Sequence, residues 1–125
     1  MSTSLPTVLI VDDHTDIRRL LSITLGREFH VIEAEDGQSA LVAVRNHHPR
    51  AVLLDVMMPG QMDGMQVLDA IKSSPDTCNI LVAMITARGQ DADHEDARQR
   101  GADAYFIKPF SPAGVAAWVR SRLLV

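Results

Sequence analysis

Five residues with reactive or metal-binding side chains follow apolar runs of the sequence. Asp12 and Asp13 come after "VLIV", Asp55 after "AVLL", Thr86 after "LVAMI" and Lys108 after "AYFI". Taken singly, an aspartate at such a place can be a helix cap or a turn former, and a threonine or lysine can be a surface group. Because such residues follow four separate apolar runs, we favour a single site to which all of them contribute.

The chemistry of these groups is complementary if they converge. Three neighbouring carboxylates repel one another and need a cation, and Mg²⁺ prefers hard oxygen ligands while it keeps waters and a phosphate oxygen. A carboxylate can attack phosphorus and form an aspartyl phosphate. Mg²⁺ and a lysine then neutralise the phosphoryl oxygens, and a hydroxyl donates to the product phosphate. The residue types therefore predict Asp55 as a nucleophile, with a metal ion, Lys108 and Thr86 around it.

The elements that must position these groups can be read from the apolar pattern, which changes period repeatedly. Short β-branched runs predict strands over residues 7–11, 30–34, 51–56, 80–85 and 104–108. Apolar residues at helical spacing lie between these runs, and a polar helix is expected over residues 90–100, closed by Gly101. Gly26 should end the first helix, and the second should end before Pro49. Strands that alternate with helices predict an α/β fold, in which the carboxyl ends of parallel strands share one sheet edge.

Length and composition limit the alternatives. The 125 residues suffice for one domain, and the net charge of -4 gives no support for a nucleic-acid-binding surface. The one cysteine, Cys78, cannot form an internal disulfide and fits a reducing compartment. We see no signal peptide in "MSTSLPT" and no apolar run that could span a membrane. A cytoplasmic location without membrane contact is therefore expected.

Together these motifs resemble the response regulator receiver domain, the phosphoacceptor module of two-component signalling. The resemblance runs from "VLIVDDH" through "LLDVMMPG" and "ITA" to "GADAYFIKPF". It implies a flavodoxin-like, doubly wound sheet of five parallel strands in the order 2-1-3-4-5, flanked by five helices. The whole chain, residues 1–125, would be one receiver domain with its core at about 6–124. Such a domain is not an enzyme acting on other substrates, because it promotes only its own aspartyl phosphorylation and dephosphorylation.

The resemblance also assigns roles to residues of the site. It implies that Asp55 is phosphorylated, that Asp13 binds Mg²⁺ directly and that Asp12 assists, often through water. The backbone carbonyl of Met57 would be the remaining protein ligand, and Lys108 would bind the phosphate. The Lys108–Pro109 peptide bond stands where the family commonly has a cis bond.

A switch is implied as well. Thr86 would be the switch hydroxyl, and Tyr105 the ring that turns inward as Thr86 moves toward the phosphate. The alternative for Tyr105 is an amphipathic residue at the rim of the sheet. The family signals through the surface of its fourth helix, fifth strand and last helix.

Positions that vary in such domains raise further hypotheses. Met57 and Arg88 flank the site and would tune dephosphorylation, which we expect to be slow because Met57 is apolar. The loop "MMPGQMDG" is one residue longer after Pro59 than the usual pattern, so its shape stays open. For His14, a metal or phosphohistidine role competes with a simple position on the first helical turn, which we favour.

Two other functions are compatible with a carboxylate nucleophile or with this fold. A phosphatase of the haloacid dehalogenase class would place a second aspartate two residues after the nucleophile, where this chain has Met57. A binding module that is not phosphorylated would not need the complete set of acidic, hydroxyl and ammonium groups.

The expected partners follow from the leading interpretation. A histidine kinase or a histidine phosphotransfer protein would supply the phosphoryl group, and the output would be a downstream protein or a missing output domain. The sequence ends at "SRLLV", shortly after the last helix. We therefore expect either a stand-alone receiver or a receiver cut from a longer regulator or hybrid kinase, as a monomer or a phosphorylation-dependent dimer.

Overall fold

The five apolar runs form one parallel sheet. The computed structural model describes residues 5–58, 60–87 and 91–124 of the chain. The strands are β1 Thr7–Val11, β2 His30–Ala34, β3 Ala51–Asp55, β4 Leu81–Thr86 and β5 Ala104–Ile107. Every neighbouring pair is parallel, and the order is β2-β1-β3-β4-β5. The fold class and strand order are therefore confirmed.

Five helices cover both faces of this sheet. They are α1 Thr15–Leu25, α2 Gly37–His47, α3 Gly64–Ser73, α4 Asp91–Gln99 and α5 Pro112–Leu123. Successive strand residues point to opposite faces, so Leu9 and Leu54 pack with α2, α3 and α4. Ile10 and Leu53 pack with α1 and α5 on the other face. All five residues of β3 are buried, which is why its sequence is an unbroken apolar run up to Asp55.

Two helices next to the carboxyl edge of the sheet begin with reciprocal side-chain caps. In α2 the Asp36 carboxylate accepts from the Ser39 backbone N–H at 2.8 Å and from the Ser39 hydroxyl at 2.7 Å. These two hydrogen bonds keep the pKa of Asp36 below its usual value. In α3 the Asp63 carboxylate accepts from the Gln66 N–H at 3.0 Å. The caps satisfy backbone donors of the first turn and fix where each loop ends.

Several element boundaries differ by one residue from the sequence expectation. β3 ends at Asp55 rather than at residue 56. The Val56 N–H still donates to the Ile85 carbonyl of β4 at 3.0 Å, but the Val56 carbonyl accepts from the Gly64 N–H of α3 at 3.0 Å and not from a strand. β4 begins after Ile80, whose N–H donates to Thr77 in a turn, and extends to Thr86 through its pairing with Ile107. β5 ends at Ile107 rather than at residue 108, and α4, Asp91–Gln99, ends one residue before the expected residue 100. Residue 90, where α4 is expected to begin, lies outside the described residues.

The glycines predicted to end helices do so in two different ways. Gly101 follows α4 with a φ of +104°, a left-handed conformation that glycine adopts without strain. Gly26 follows α1 with a right-handed φ of -66°. A Cβ at Gly26 would lie 2.7 Å from the Ser22 carbonyl oxygen, so the absence of a side chain matters there for close approach.

Candidate functional site

The carboxyl ends of β1, β3 and β4 bring the predicted site residues together. Asp12, Asp55 and Thr86 are buried there, with exposures of 2%, 3% and 0%. Asp12, Asp13, His14 and Asp55 each offer a potential ligand atom, and these atoms all lie within 4.8 Å of one another. The convergence expected from the strand ends is present in the fold.

Asp55 ends β3 with its carboxylate held from both sides. Its Oδ1 accepts from the Met57 backbone N–H at 3.2 Å, and its Oδ2 lies 3.6 Å from Lys108 Nζ. Burial and then the charge of Asp12 raise the pKa of Asp55 to about 6, against the opposing effects of Lys108 and the Met57 N–H. The ionised form of the Asp55 carboxylate is thus destabilised, and a nearby cation would stabilise it.

Asp12 joins the lysine to the segment before α1. Its Oδ2 accepts from Lys108 Nζ at 3.2 Å, and its Oδ1 accepts from the His14 backbone N–H at 2.8 Å. The Arg18 guanidinium donates to the Asp12 backbone carbonyl at 2.7 Å. Lys108 therefore lies between two buried carboxylates, at hydrogen-bond distance from Asp12 and slightly farther from Asp55.

Asp13 has an oxygen that the surrounding protein leaves unsatisfied. Among the described residues, its Oδ1 is buried and has no hydrogen-bond partner, although His14 Nδ1 lies 3.2 Å away. Buried polar oxygens are normally paired, and a divalent cation would pair this one. Three clustered carboxylates with an unsatisfied oxygen fit a hard cation such as Mg²⁺.

Thr86 and Lys108 are linked through the backbone. The Lys108 N–H donates to the Thr86 carbonyl at 2.7 Å, so the end of β5 is tied to the end of β4. The Lys108–Pro109 peptide bond is cis, as expected. Both predicted residues therefore stand at the same edge as Asp55.

The cleft beside Asp55 extends to the predicted switch residue. Its volume is about 780 Å³, and its lining includes Asp13, Met57, Thr86 and Tyr105. Tyr105 lies on β5 and stacks on the His94 ring of α4, with centroids 4.6 Å apart and planes 7° apart. The cleft thus connects the acidic cluster to α4 and β5.

The structure places the remaining predicted residues as follows. Met57 is 51% exposed at the mouth of the cleft. Arg88 and Pro59 lie outside the described residues. His14 immediately precedes α1 rather than lying in its first turn, and its ring contacts the carboxylates of the site. The ring contact of His94 with Tyr105 had no signal in the sequence, because stacking across two elements depends on their packing.

Comparison with known proteins gives the family. The response regulator receiver domain family matches residues 8–120. The chain belongs to this family. Members are signalling phosphoacceptors, and the acidic pocket of Asp12, Asp13 and Asp55 fits phosphorylation and metal binding.

Individual relatives differ in how much of them this receiver domain covers. The Cyanophora paradoxa protein named "Probable transcriptional regulator ycf27" is 41% identical over 117 residues, or 93% of this chain and 47% of that protein. The BeF3-activated receiver domain of DrrB from Thermotoga maritima is 28% identical with a TM-score of 0.86, covering 96% of this chain and 97% of that one. The chemotaxis protein CheY4 of Vibrio cholerae is 26% identical with a TM-score of 0.87, covering 96% and 99%. The chain spans about half the length of the curated relatives it matches.

In the part of the chain that the structure describes, none of the helices has the length and apolar character needed to cross a bilayer.

Proposed function

We propose that this receiver domain accepts a phosphoryl group on Asp55 from the phosphohistidine of a histidine kinase or a phosphotransfer protein. The observation that carries the proposal is the position of the Asp55 carboxylate, buried at the end of β3 between Lys108 and the carboxylates of Asp12 and Asp13. A nucleophile on a rigid strand, with the lysine ammonium beside it, suits in-line attack on phosphorus.

The proposed transfer exchanges one bond to phosphorus for another. An Asp55 carboxylate oxygen forms a bond to phosphorus as the bond from phosphorus to the donor imidazole nitrogen breaks, and that nitrogen keeps the electron pair. Lys108 Nζ, 3.6 Å from Asp55 Oδ2, would neutralise charge on the phosphoryl oxygens. Dephosphorylation is attack by water on the same phosphorus, which returns the carboxylate and releases inorganic phosphate.

The residues that would hold Mg²⁺ are Asp13, Asp12, Asp55 and the backbone carbonyl of Met57. The unsatisfied Asp13 Oδ1 and the repulsion among the carboxylates support this assignment. When bound, the ion would neutralise the carboxylates and the phosphoryl oxygens.

Thr86 and Tyr105 are the proposed switch. A Thr86 hydroxyl that donates to the new phosphate would leave space in the cleft that both residues line. Tyr105 would turn into that space, which changes its stacking on His94 and the surface formed by α4, β5 and α5. This is the surface proposed to signal to a partner.

The wider context is also a proposal. Residues 1–125 would be one receiver domain, and its output would be a downstream protein or an output domain, with a monomer or a phosphorylation-dependent dimer as the acting form. Similarity to a named transcriptional regulator favours an output that binds DNA through a partner domain. The cytoplasmic location stays a prediction.

Neither alternative function has comparable support. A phosphatase of the haloacid dehalogenase class needs an acid two residues after the nucleophile, and Met57 occupies that position. An unphosphorylated binding module gives no reason for burying the carboxylates of Asp12 and Asp55 beside one lysine.

The experiment is intact-mass measurement after incubation with acetyl phosphate. We expect the wild type to gain one phosphoryl group with Mg²⁺, and to gain none when EDTA is present. Asp55→Asn should gain none, whereas Asp76→Asn, a change at an exposed loop position, should behave as the wild type. Equal phosphorylation of Asp55→Asn and the wild type would contradict the proposal.

A further inference from the structure

We propose that His14 is an additional ligand in the acidic site and gives it a preference for transition-metal ions such as Ni²⁺ and Co²⁺. The inference rests on the proposed metal site formed by Asp12, Asp13 and Asp55. It adds a nitrogen ligand to an otherwise all-oxygen set and so specifies which ions the site selects.

The positions of three atoms support this role. His14 Nδ1 is hydrogen-bonded to Asp12 Oδ1 at 3.0 Å and lies 3.2 Å from Asp13 Oδ1. Ligands at neighbouring corners of an octahedron are about 3 Å apart when the metal–ligand bonds are about 2.1 Å long. Both separations therefore match edges of an octahedral site. The Asp55 carboxylate lies within the same 4.8 Å cluster and supplies another corner.

The backbone holds the imidazole in this position. The His14 N–H donates to Asp12 Oδ1 at 2.8 Å, and Arg18 donates to the Asp12 carbonyl at 2.7 Å. These two hydrogen bonds fix the short segment between β1 and α1. The His14 side chain is 64% exposed, so the imidazole lies on the solvent side of the acidic cluster.

An ion at this point would also satisfy Asp13. Its Oδ1 is buried and, within the described residues, has no hydrogen bond, even though His14 Nδ1 is only 3.2 Å away. The contact between these two atoms therefore has the length but not the geometry of a hydrogen bond. A cation bound by both atoms would give Asp13 Oδ1 the partner that hydrogen bonding does not supply.

The chemistry of the two ligand types predicts the selectivity. Carboxylate oxygens suit Mg²⁺, whereas imidazole nitrogen suits Ni²⁺, Co²⁺ and Zn²⁺. His14 should therefore contribute strongly to the binding of these ions and little to that of Mg²⁺. His47 and His48 form an adjacent histidine pair at the end of α2, so a test must separate them from His14.

The test is isothermal titration calorimetry with Mg²⁺ and with Ni²⁺ at one fixed pH, without a phosphoryl donor. We expect the wild type to bind Ni²⁺ at least about tenfold more tightly than Mg²⁺. His14→Ala should lose about tenfold or more in Ni²⁺ affinity and less than about twofold in Mg²⁺ affinity. The control His47→Ala should retain the wild-type affinities of the acidic site for both ions.

A second measurement identifies the nitrogen ligand directly. Proton NMR with Co²⁺ should show hyperfine-shifted histidine ring protons in the wild type and in His47→Ala, and these signals should be absent from His14→Ala.

The outcomes separate this inference from the proposed function. If His14→Ala keeps the wild-type Ni²⁺ affinity, or loses affinity for both ions equally, His14 is not a selective ligand. Either result would overturn this inference without contradicting the proposed Mg²⁺ site. A wild type that binds neither ion would contradict the proposed metal site and this inference together. Mg²⁺ affinity that survives in Asp13→Asn would also contradict both, because it would place the ion elsewhere.

Discussion

The Asp55 side chain is 3% exposed, and its carboxylate lies beside those of Asp12 and Asp13. Burial and the neighbouring charge of Asp12 make ionisation of Asp55 unfavourable. Lys108 offsets only part of this free-energy cost, since the pKa of Asp55 is still raised to about 6. The residue best placed to accept a phosphoryl group therefore destabilises the metal-free protein. This conflict between burial and ionisation leads to a prediction about stability.

Asp55→Asn should stabilise the metal-free protein at neutral pH. The raised pKa means that folded Asp55 binds its proton more tightly than unfolded Asp55 does. The free energy of unfolding therefore falls as pH rises from about 4 to about 6, and the full cost is present above that range. Asparagine removes the charge, so we expect a gain of about 1–3 kcal/mol at about pH 7.5.

Urea denaturation in EDTA at about pH 7.5 and about pH 4 measures this effect. The gain should shrink at the lower pH, and the exposed-site control Asp76→Asn should show no comparable gain at either. An Asp55→Asn protein that is less stable than the wild type at neutral pH would refute the electrostatic interpretation.

Met57 gives a second prediction at the scale of single residues. Its side chain is half exposed at the mouth of the cleft, where an apolar group would hinder the water that attacks the phosphoryl group. We expect a wild-type phosphoryl half-life of minutes or longer, shortened about threefold to tenfold in Met57→Ala. Loss of the phosphoryl mass with time measures both rates.

The control is Ile23→Ala, an exposed apolar position on α1. A wild-type half-life of only seconds would disprove the hypothesis.

At the scale of elements, the junction of β3 and α3 fixes the position of Asp55. Gly64 begins α3, and a Cβ there would clash with the Asp55 backbone oxygen. The Gly64 N–H also donates to the Val56 carbonyl at 3.0 Å. The first turn of α3 thus packs directly on the backbone of the nucleophile.

Gly64→Ala should therefore displace the loop that carries Met57. We expect a loss of about 1–3 kcal/mol in the free energy of unfolding, because the clash is with backbone and cannot be relieved by a side chain. Mg²⁺ affinity should fall as well. Thermal or urea unfolding and calorimetry measure the two effects.

The matched control is Gly114→Ala in α5, where the new Cβ would meet Ser111 at an ordinary 3.4 Å. Alanine at this helical position should be neutral or slightly stabilising. Equal behaviour of the two glycine variants would show that the junction tolerates a side chain and does not fix Asp55.

The element scale also shows what the sequence can and cannot predict. Apolar runs located all five strands. The signal has a clear cause in the central strands β1, β3 and β4, because a strand buried on both faces must be apolar. The edge strands β2 and β5 are only partly buried. The one-residue errors at β3 and β4 arose from hydrogen bonds of Val56 and Ile80 to residues outside the strands. Such bonds depend on packing between elements, and local composition does not encode them.

At the scale of the whole molecule, parallel topology explains why the site was predictable. With the order β2-β1-β3-β4-β5, the carboxyl ends of β1, β3 and β4 are adjacent. Residues that end three strands must then meet, whatever the details of the loops. The contacts of His14 with Asp12 and of His94 with Tyr105 required the structure, since they depend on side-chain orientation in a loop and across two elements.

Phosphorylation is proposed to occur at Asp55 and not at the neighbouring carboxylates. Borohydride reduces an acyl phosphate to the alcohol, so treatment of the phosphorylated protein should convert the modified aspartate to homoserine. Peptide mass mapping then locates that residue. We expect homoserine at position 55 alone, formed only when phosphoryl donor and Mg²⁺ are both present. Homoserine at position 12 or 13, or none in protein that carries the phosphoryl mass, would contradict this proposal.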